Sequence, residues 1–315
     1  MKKRLGLIVS ILIIAMLAFA GCAKEESKTT AKNNESITVN IKHELGEATV
    51  KKNPKNVVVF DYGVLDSLDK MGIEVAALPK SNIPAYLEKF KDDKYKDAGT
   101  LQEPNFEKIS ELKPELIIIS ARQAKLYEEF KKIAPTVYLA IADKDYMGSF
   151  KGNMNILGEI FDKKEFVEKE LKNIENSIKD LNTKAAVNGK KALIVMVSEG
   201  SISAYGEGSR FGVMHKEFGV TPVDKSLQNA THGQNISFEY IAEKNPDYLF
   251  VIDRGAIVKG GKTSAKQTLD NALIKTTSAH KNNKIVYLDS QIWYVSIGGF
   301  TGTNTMINEV QEALK

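Results

Sequence analysis

Three arginines stand where an apolar run or a glycine-rich turn has just ended: Arg122 in "IIISARQ", Arg210 in "GEGSRFG" and Arg254 in "LFVIDRG". A guanidinium stays charged at any ordinary pH and presents several N–H donors in a planar fork, so it suits an oxygen-rich anion. His232 in "NATHGQ" and Tyr294 in "QIWYVS" offer an imidazole nitrogen and a phenol oxygen. Both are competent ligands for Fe(III), a hard and highly charged ion. Each residue also has a plainer account: a surface charge after a strand, a loop histidine, a core tyrosine beside Trp293. His43, His215 and His280 are read in that plainer way, as surface residues.

What raises the arginines above the plainer account is the likeness of the chain to itself. Residues 106–122, "FEKISELKPELIIISAR", and 238–254, "FEYIAEKNPDYLFVIDR", align without a gap, with Phe, Glu, Ile, Glu, Pro and Arg coinciding. A repeat of so long a period is a duplicated lobe and not a solenoid unit. Arg122 and Arg254 therefore occupy equivalent places just past a strand's C-terminal end, the edge at which open α/β sheets bind ligands. Two lobes facing across a cleft would aim both at one anion. Glu107 and Glu239 are equivalent as well, each in the first turn of its repeated helix, where the dipole favours a carboxylate. Arg210 is expected at the start of a helix ending near Phe218, where free N–H groups also favour anions. His232 lies in the loop that enters the second copy, and Tyr294 where the strand "KIVYLD" gives way to a glycine-rich turn.

These residues need a frame, and the apolar pattern supplies one. "NVVVFD", "EVAAL", "ELIIIS" and "TVYLA" read as strands, and "YGVLDSLDKMG" and "NFEKISELK" as helices between them. Continuous apolar strands alternating with helices imply a mostly parallel sheet covered on both faces. Residues 163–187 then break the rhythm: they lack Gly and Pro, and Phe166, Leu171, Ile174, Ile178 and Leu181 form one apolar stripe. That is a single long amphipathic helix. The alternation resumes through "KALIVMVS", a second short strand, "DYLFVID" and "KIVYLD", and closes with a helix from about Thr303. The fold class is α/β: two α/β lobes, residues 37–161 and 188–315, joined by a single long helix over residues 162–187.

The N-terminus is a separate segment. Lys2, Lys3 and Arg4 precede an apolar run over residues 5–20, and Ala20-Gly21-Cys22 closes it. This is the order of a secretory signal peptide, residues 1–21. Cys22 ends it as the lipidated thiol of a bacterial lipobox does, although Phe19 stands where that pattern usually has Leu. An uncleaved anchor is the alternative, the run being near the short end for a membrane span. Residues 22–36 are polar and lack aromatics, as a flexible tether does. Cys22 is the only cysteine, so no internal disulfide can form. Removing Lys2, Lys3 and Arg4 lowers the 44 basic residues to 41 against 40 acidic ones, and a near-neutral chain offers nothing to nucleic acid.

Catalytic patterns are missing. G-x-S-x-G, H-E-x-x-H, a Walker loop and metal-spaced Cys/His pairs do not occur. The glycines of residues 206–212 lie too far from their strand, with the wrong third spacing, for a dinucleotide loop. The chain reads as a binding protein and not an enzyme.

Taken together, "KNVVVFDYGVLDSLDKMG", "IIISARQ", "THGQNISFEYI", "NPDYLFVIDRG" and "YLDSQIWY" resemble the substrate-binding lipoproteins of iron-siderophore ABC importers. Within that group the likeness is to the catecholate and petrobactin-type siderophore binders, and it covers essentially the whole chain after Cys22. The resemblance implies a class III periplasmic-binding-protein-like architecture with a helical backbone, and the long helix, as a stiff linker, implies small lobe closure. It implies a ferric siderophore as ligand and no cofactor of the protein's own. Arg122, Arg210 and Arg254 would hold the anionic chelate, with His232 and Tyr294 completing iron coordination where the siderophore leaves sites open. Glu107 and Glu239 would dock on the arginines of an ABC permease that works with a cytoplasmic ATPase. The expected protein is a monomer, lipid-anchored through Cys22 on the outer face of a Gram-positive cell membrane. A haem or corrinoid receptor of the same class is the alternative; a siderophore esterase would need a nucleophile and base that the sequence does not present.

Overall fold

The apolar runs become central strands in the computed structural model, which describes residues 37–228, 230–257 and 263–315. The expected signal segment, Cys22 and the tether lie outside the described residues. The chain begins with an antiparallel hairpin, β1 (Thr38–His43) and β2 (Gly46–Lys51). There follow β3 (Val57–Val59), α1 (Tyr62–Lys70), β4 (Ala77–Leu78), β5 (Lys96–Asp97), α2 (Phe106–Glu111), β6 (Leu116–Ile119), α3 (Tyr127–Lys131), β7 (Thr136–Tyr138) and α4 (Tyr146–Ile160). After α5 (Lys164–Asn188) come β8 (Lys191–Ser198), β9 (Ser201–Tyr205), α6 (Val213–Lys216), β10 (Thr221–Pro222), β11 (Gln234–Ile236), α7 (Phe238–Lys244) and β12 (Tyr248–Asp253). Three short helices, α8 (Ala265–Leu269), α9 (Ala272–Thr276) and α10 (Ser278–Lys281), precede β13 (Ile285–Leu288) and the C-terminal α11 (Phe300–Ala313).

Two sheets define two lobes. The first runs β5-β4-β3-β6-β7 with every pairing parallel. The second runs β11-β9-β8-β12-β13, with β10 beside the start of β8; β8, β10, β12 and β13 are parallel and β9 is antiparallel to its neighbours. All four residues of β6 and the first five of β12 are buried, which is why they read as uninterrupted apolar runs.

The internal repeat extends to the backbone. Strand β6 lies between β3 and β7 as β12 lies between β8 and β13. Their preceding helices are capped at equivalent positions, Asn105 accepting from the Lys108 amide and Ser237 from that of Tyr240. Both helices then end on a left-handed residue before proline, Lys113 at φ 46° and Asn245 at φ 43°.

Helix α5 buries Val167, Leu171, Ile174, Leu181 and Ala185 and stops at Gly189, whose φ of 63° glycine adopts at no steric cost. Helix α4 was not legible in the sequence. Its three glycines weaken helix propensity, and burial of Phe150, Met154 and Leu157 offsets that weakness.

The C-terminal segment crosses back to the first lobe. Helix α11 starts at Phe300, three residues before the expected Thr303, and packs on α1 and α5. The Phe300 ring meets those of Phe150 and Phe166 edge-on at 5.7 and 6.1 Å, and Tyr146 shares a 2.7 Å hydrogen bond with Thr303. The buried Asp66 carboxylate accepts from the Gly302 amide at 2.8 Å. A side chain on Gly299 would overlap that carboxylate, and one on Gly63 would overlap the Ile297 carbonyl. These two glycines therefore permit the close approach. Among the described residues no helix is long and apolar enough to cross a membrane.

Candidate functional site

Arg122 emerges directly from β6. Ser120 opens a 3-10 turn over Ala121–Leu126, where its amide donates to the Gln123 side chain at 3.2 Å and Gln123 in turn donates to the Leu101 carbonyl at 2.5 Å. The backbone is thereby fixed while the Arg122 side chain remains exposed. Its Nη2 donates to the Tyr294 carbonyl at 3.0 Å.

Arg254 emerges from β12 and is half-buried. Its Nη1 donates to Ser198 Oγ at 3.0 Å and its Nε to Tyr294 Oη at 3.2 Å, with the guanidinium 5.8 Å from the tyrosine ring centre. Asp253 beside it accepts from the Ala256 and Ala265 amides.

The environment of Arg210 differs from the expectation. Helix α6 begins only at Val213 and has a single turn, so Arg210 precedes it and is not placed at a helix start. The glycine-rich turn instead lays the guanidinium between two rings, 5.1 Å from Phe211 and 4.6 Å from Tyr294. Its Nη2 donates to the Tyr294 carbonyl at 3.3 Å. Burial, and then the charge of Arg122, push Arg210 below the usual range of a guanidinium. An anion arriving there relieves that cost.

Tyr294 is the hub. It sits on a π turn, Gln291–Val295, closed by the Ser296 amide on the Gln291 carbonyl at 3.0 Å. The turn is anchored by the buried Trp293, whose Nε1 donates to Glu309 at 2.7 Å. One backbone carbonyl thus collects Arg122 and Arg210, and the phenol oxygen of the same residue accepts from Arg254.

Around this hub lies a cavity of about 350 Å³, lined from the first lobe by Asp61, Arg122 and Asp143 and from the second by Arg210, His232 and Tyr294. Arg254 reaches it through Tyr294. His232 is exposed, and its carbonyl accepts from Tyr205 Oη at 3.0 Å. The next residue, Gly233, has φ 72°, and a side chain there would overlap the Tyr205 ring. Asp61 caps α1, accepting from the amides of Gly63 and Val64 at 2.9 and 3.0 Å. Burial pushes its carboxyl up, opposed by the Val64 amide and the charge of Arg122.

A larger cavity, of about 720 Å³, runs along the outside of the second lobe past Lys266, Asp270, His280 and Tyr287. It draws on one lobe only and holds no arginine, so the cleft is the better binding candidate. Among the described residues no group of three His, Cys, Asp or Glu side chains could hold a metal ion.

Four of the residues singled out in the sequence, Arg122, Arg210, His232 and Tyr294, thus line one cavity, and Arg254 joins them through its hydrogen bond to Tyr294. Glu107 and Glu239 do not: they are exposed in the first turns of α2 and α7, away from the cavity. The Glu239 carboxyl is held below its usual range by its own amide and by Ser237. His280 is on the surface, but His215 is buried, with Nδ1 2.7 Å from the Val220 carbonyl, because α6 turns it inward. Sequence reasoning missed Asp61 and Asp143. Each follows a strand end, β3 and β7, so the rule that singled out the arginines would have found them had it been applied to both signs of charge.

Two lobes with a ligand-sized cleft at their strand ends define a substrate-binding protein, and the chain belongs to the periplasmic binding protein family, whose model matches residues 57–292. The petrobactin-binding protein YclQ of Bacillus subtilis is 48% identical over 319 aligned residues, covering 100% of both chains. Its crystal structure matches with a TM-score of 0.87 at 50% identity, over 89% of this chain and 99% of that one. The periplasmic catecholate-siderophore binding protein VctP of Vibrio cholerae matches with a TM-score of 0.83 at 39% identity, over 88% and 100%. The iron uptake ABC transporter substrate-binding protein PiuA of Streptococcus pneumoniae matches with a TM-score of 0.82 at 36% identity, over 88% and 99%.

Proposed function

We propose that this protein is the extracytoplasmic receptor of an iron importer: it binds a ferric siderophore of the catecholate or petrobactin type between its lobes and delivers it to an ABC permease. The observation that carries the reading is the gathering of Arg122, Arg210 and Arg254 around Tyr294. Three cations at one hub call for a multiply charged anion, and the relatives YclQ and VctP are named for such ligands. In a partly dry cleft the attraction is larger than in water: a unit charge about 4 Å from a guanidinium gains about 4 kcal/mol at an effective dielectric of about 20, against about 1 in bulk water.

In this reading the three arginines neutralise the chelate, and His232 and Tyr294 supply a nitrogen and an oxygen where the siderophore leaves iron sites open. The lobes are residues 37–161 and 188–315, the second lending its C-terminal helix α11 to the first, with residues 162–187 as a stiff connector that limits closure. Cys22 carries the lipid that keeps the monomer at the outer face of the membrane. Glu107 and Glu239, one per lobe, meet the two halves of the permease.

Trp293, the only tryptophan, adjoins Tyr294 and is held rigidly by Glu309, so its fluorescence reports on the cleft. Titrating the purified protein with ferric catecholate, ferric hydroxamate and haem should show quenching that saturates first with the catecholate. Saturation by haem or hydroxamate at lower concentration would overturn the assignment.

A further inference from the structure

The π turn that presents Tyr294 is held from the first lobe as well as the second. Such turns are rare and occur mostly at functional sites. The Gln291 carbonyl closes this one by accepting twice from Ser296, from its amide and from its Oγ, each at 3.0 Å. Ser296 is fully buried, and its Oγ accepts in turn from Tyr86 Oη at 2.9 Å. The neighbouring Ala85 amide donates to the Gln291 side chain at 2.8 Å. A relay that starts on a first-lobe hydroxyl thus ends on the carbonyl that closes a second-lobe turn.

Tyr86 is a fixed starting point for that relay. Its 3-10 turn, Ala85–Lys91, buries Leu87 and Phe90. The surrounding loop is tied at both ends: Tyr62 Oη donates to the Pro79 carbonyl at 2.8 Å, and Lys80 Nζ donates to the carbonyls of Lys91 and Asp92 at 3.1 and 2.8 Å. Burial, and then the charge of Asp66, hold the Tyr86 phenol above its usual range, so it stays a donor. Among the described residues, the cavity lining does not include Tyr86.

Arg122 also reaches the turn from the first lobe, at the Tyr294 carbonyl. A guanidinium that leaves this carbonyl for an arriving anion no longer supports the turn, whereas the Tyr86 relay does not depend on Arg122. We infer that Tyr86 is a positioning residue: through Ser296 and Gln291 it fixes the turn across the lobes, so that Tyr294 still presents its carbonyl to Arg210 and its phenol to Arg254 when a ligand draws Arg122 away. This rests on the reading of the cleft as a ferric-chelate site, on which Tyr86 acts without touching the ligand.

Tyr86→Phe removes one oxygen and leaves the ring in place. Binding of a synthetic ferric catecholate to the purified protein, measured by isothermal titration, should weaken about fivefold, the effect of one neutral hydrogen bond. Ser296→Ala should weaken it by a similar factor, and the double variant by no more than either alone, because the two hydroxyls form one relay. Unchanged affinity in Tyr86→Phe overturns the inference, and a lowered melting temperature beside it would make the hydroxyl a stabilising contact only. Losses that multiply in the double variant, to about twenty-five-fold, overturn the relay. Should Ser296→Ala fail to fold, the affinity of Tyr86→Phe still decides. Failure of the unaltered protein to bind the ferric catecholate overturns instead the reading of the cleft beneath the inference.

Discussion

The strand ends of β6 and β12 carry the same residue at the same place in a duplicated element, yet they hold it differently. Arg254 is half-buried, fixed by Ser198 and by Tyr294 of its own lobe. Arg122 is exposed, and its hydrogen bond reaches across to a carbonyl of the other lobe. Duplication placed both charges, and the surroundings then separated their roles. Arg254 is a preorganised contact that loses little freedom on binding, whereas Arg122 must be ordered each time and depends on how the lobes sit.

Arg254→Ala should therefore have the largest effect, weakening ferric-chelate binding by about 3 kcal/mol, or roughly a hundredfold, by isothermal titration. Gly299→Ala should follow. Its methyl group would press on Asp66 at the crossing of the C-terminal segment, costing about 2 kcal/mol of stability in urea denaturation. Arg122→Ala should cost about 1.5 kcal/mol of binding, roughly tenfold. Equal losses for the two arginines would erase the distinction between the edges.

A smaller effect concerns acid. Each lobe carries a histidine whose imidazole burial pushes below its usual value, the half-buried His43 on β1, which the sequence reading placed on the surface, and the buried His215 on α6. The folded state thus resists protonation that the unfolded state accepts. Stability is full above about pH 6.5, the unfolded value, and falls as the pH drops below it. Melting temperatures between pH 7.5 and 5 should decline less steeply in His43→Gln than in the unaltered protein.

Replacing Glu107 and Glu239 together should leave binding unchanged within about 0.5 kcal/mol, as expected for exposed residues outside the cleft. Cellular iron uptake from the same chelate should fail. Normal uptake by the double variant would remove the docking role and leave the two glutamates as helix-end charges.

Much of the frame was legible because it is written in local patterns. Strand β12 is a buried run between Pro246 and Gly255, and α5 is a stripe at helical spacing that ends on a glycine. Among the elements that escaped are the short α8, α9 and α10 and two longer ones whose local signal is weak: the β1–β2 hairpin, with its single buried stripe of Ile41, Ala48 and Val50, and the glycine-bearing α4. At the site, the arginines were found through the repeat, whereas Asp61 and Asp143 have no counterpart that a repeat could expose.

The sequence by itself determined the class of most main elements, which follow from periodicity within some twenty residues, and, by comparison of residues 106–122 with 238–254, the duplication and the placement of Arg122 and Arg254 at strand ends. Only the tertiary structure decided that Tyr294 would be the hub, because its contacts join residues 172 and 84 positions apart. The same holds for the return of α11 to the first lobe. Contacts of that kind depend on how finished elements pack, through a buried carboxylate at Asp66 and the bare backbones of Gly63 and Gly299, and no local pattern encodes where two distant surfaces will meet.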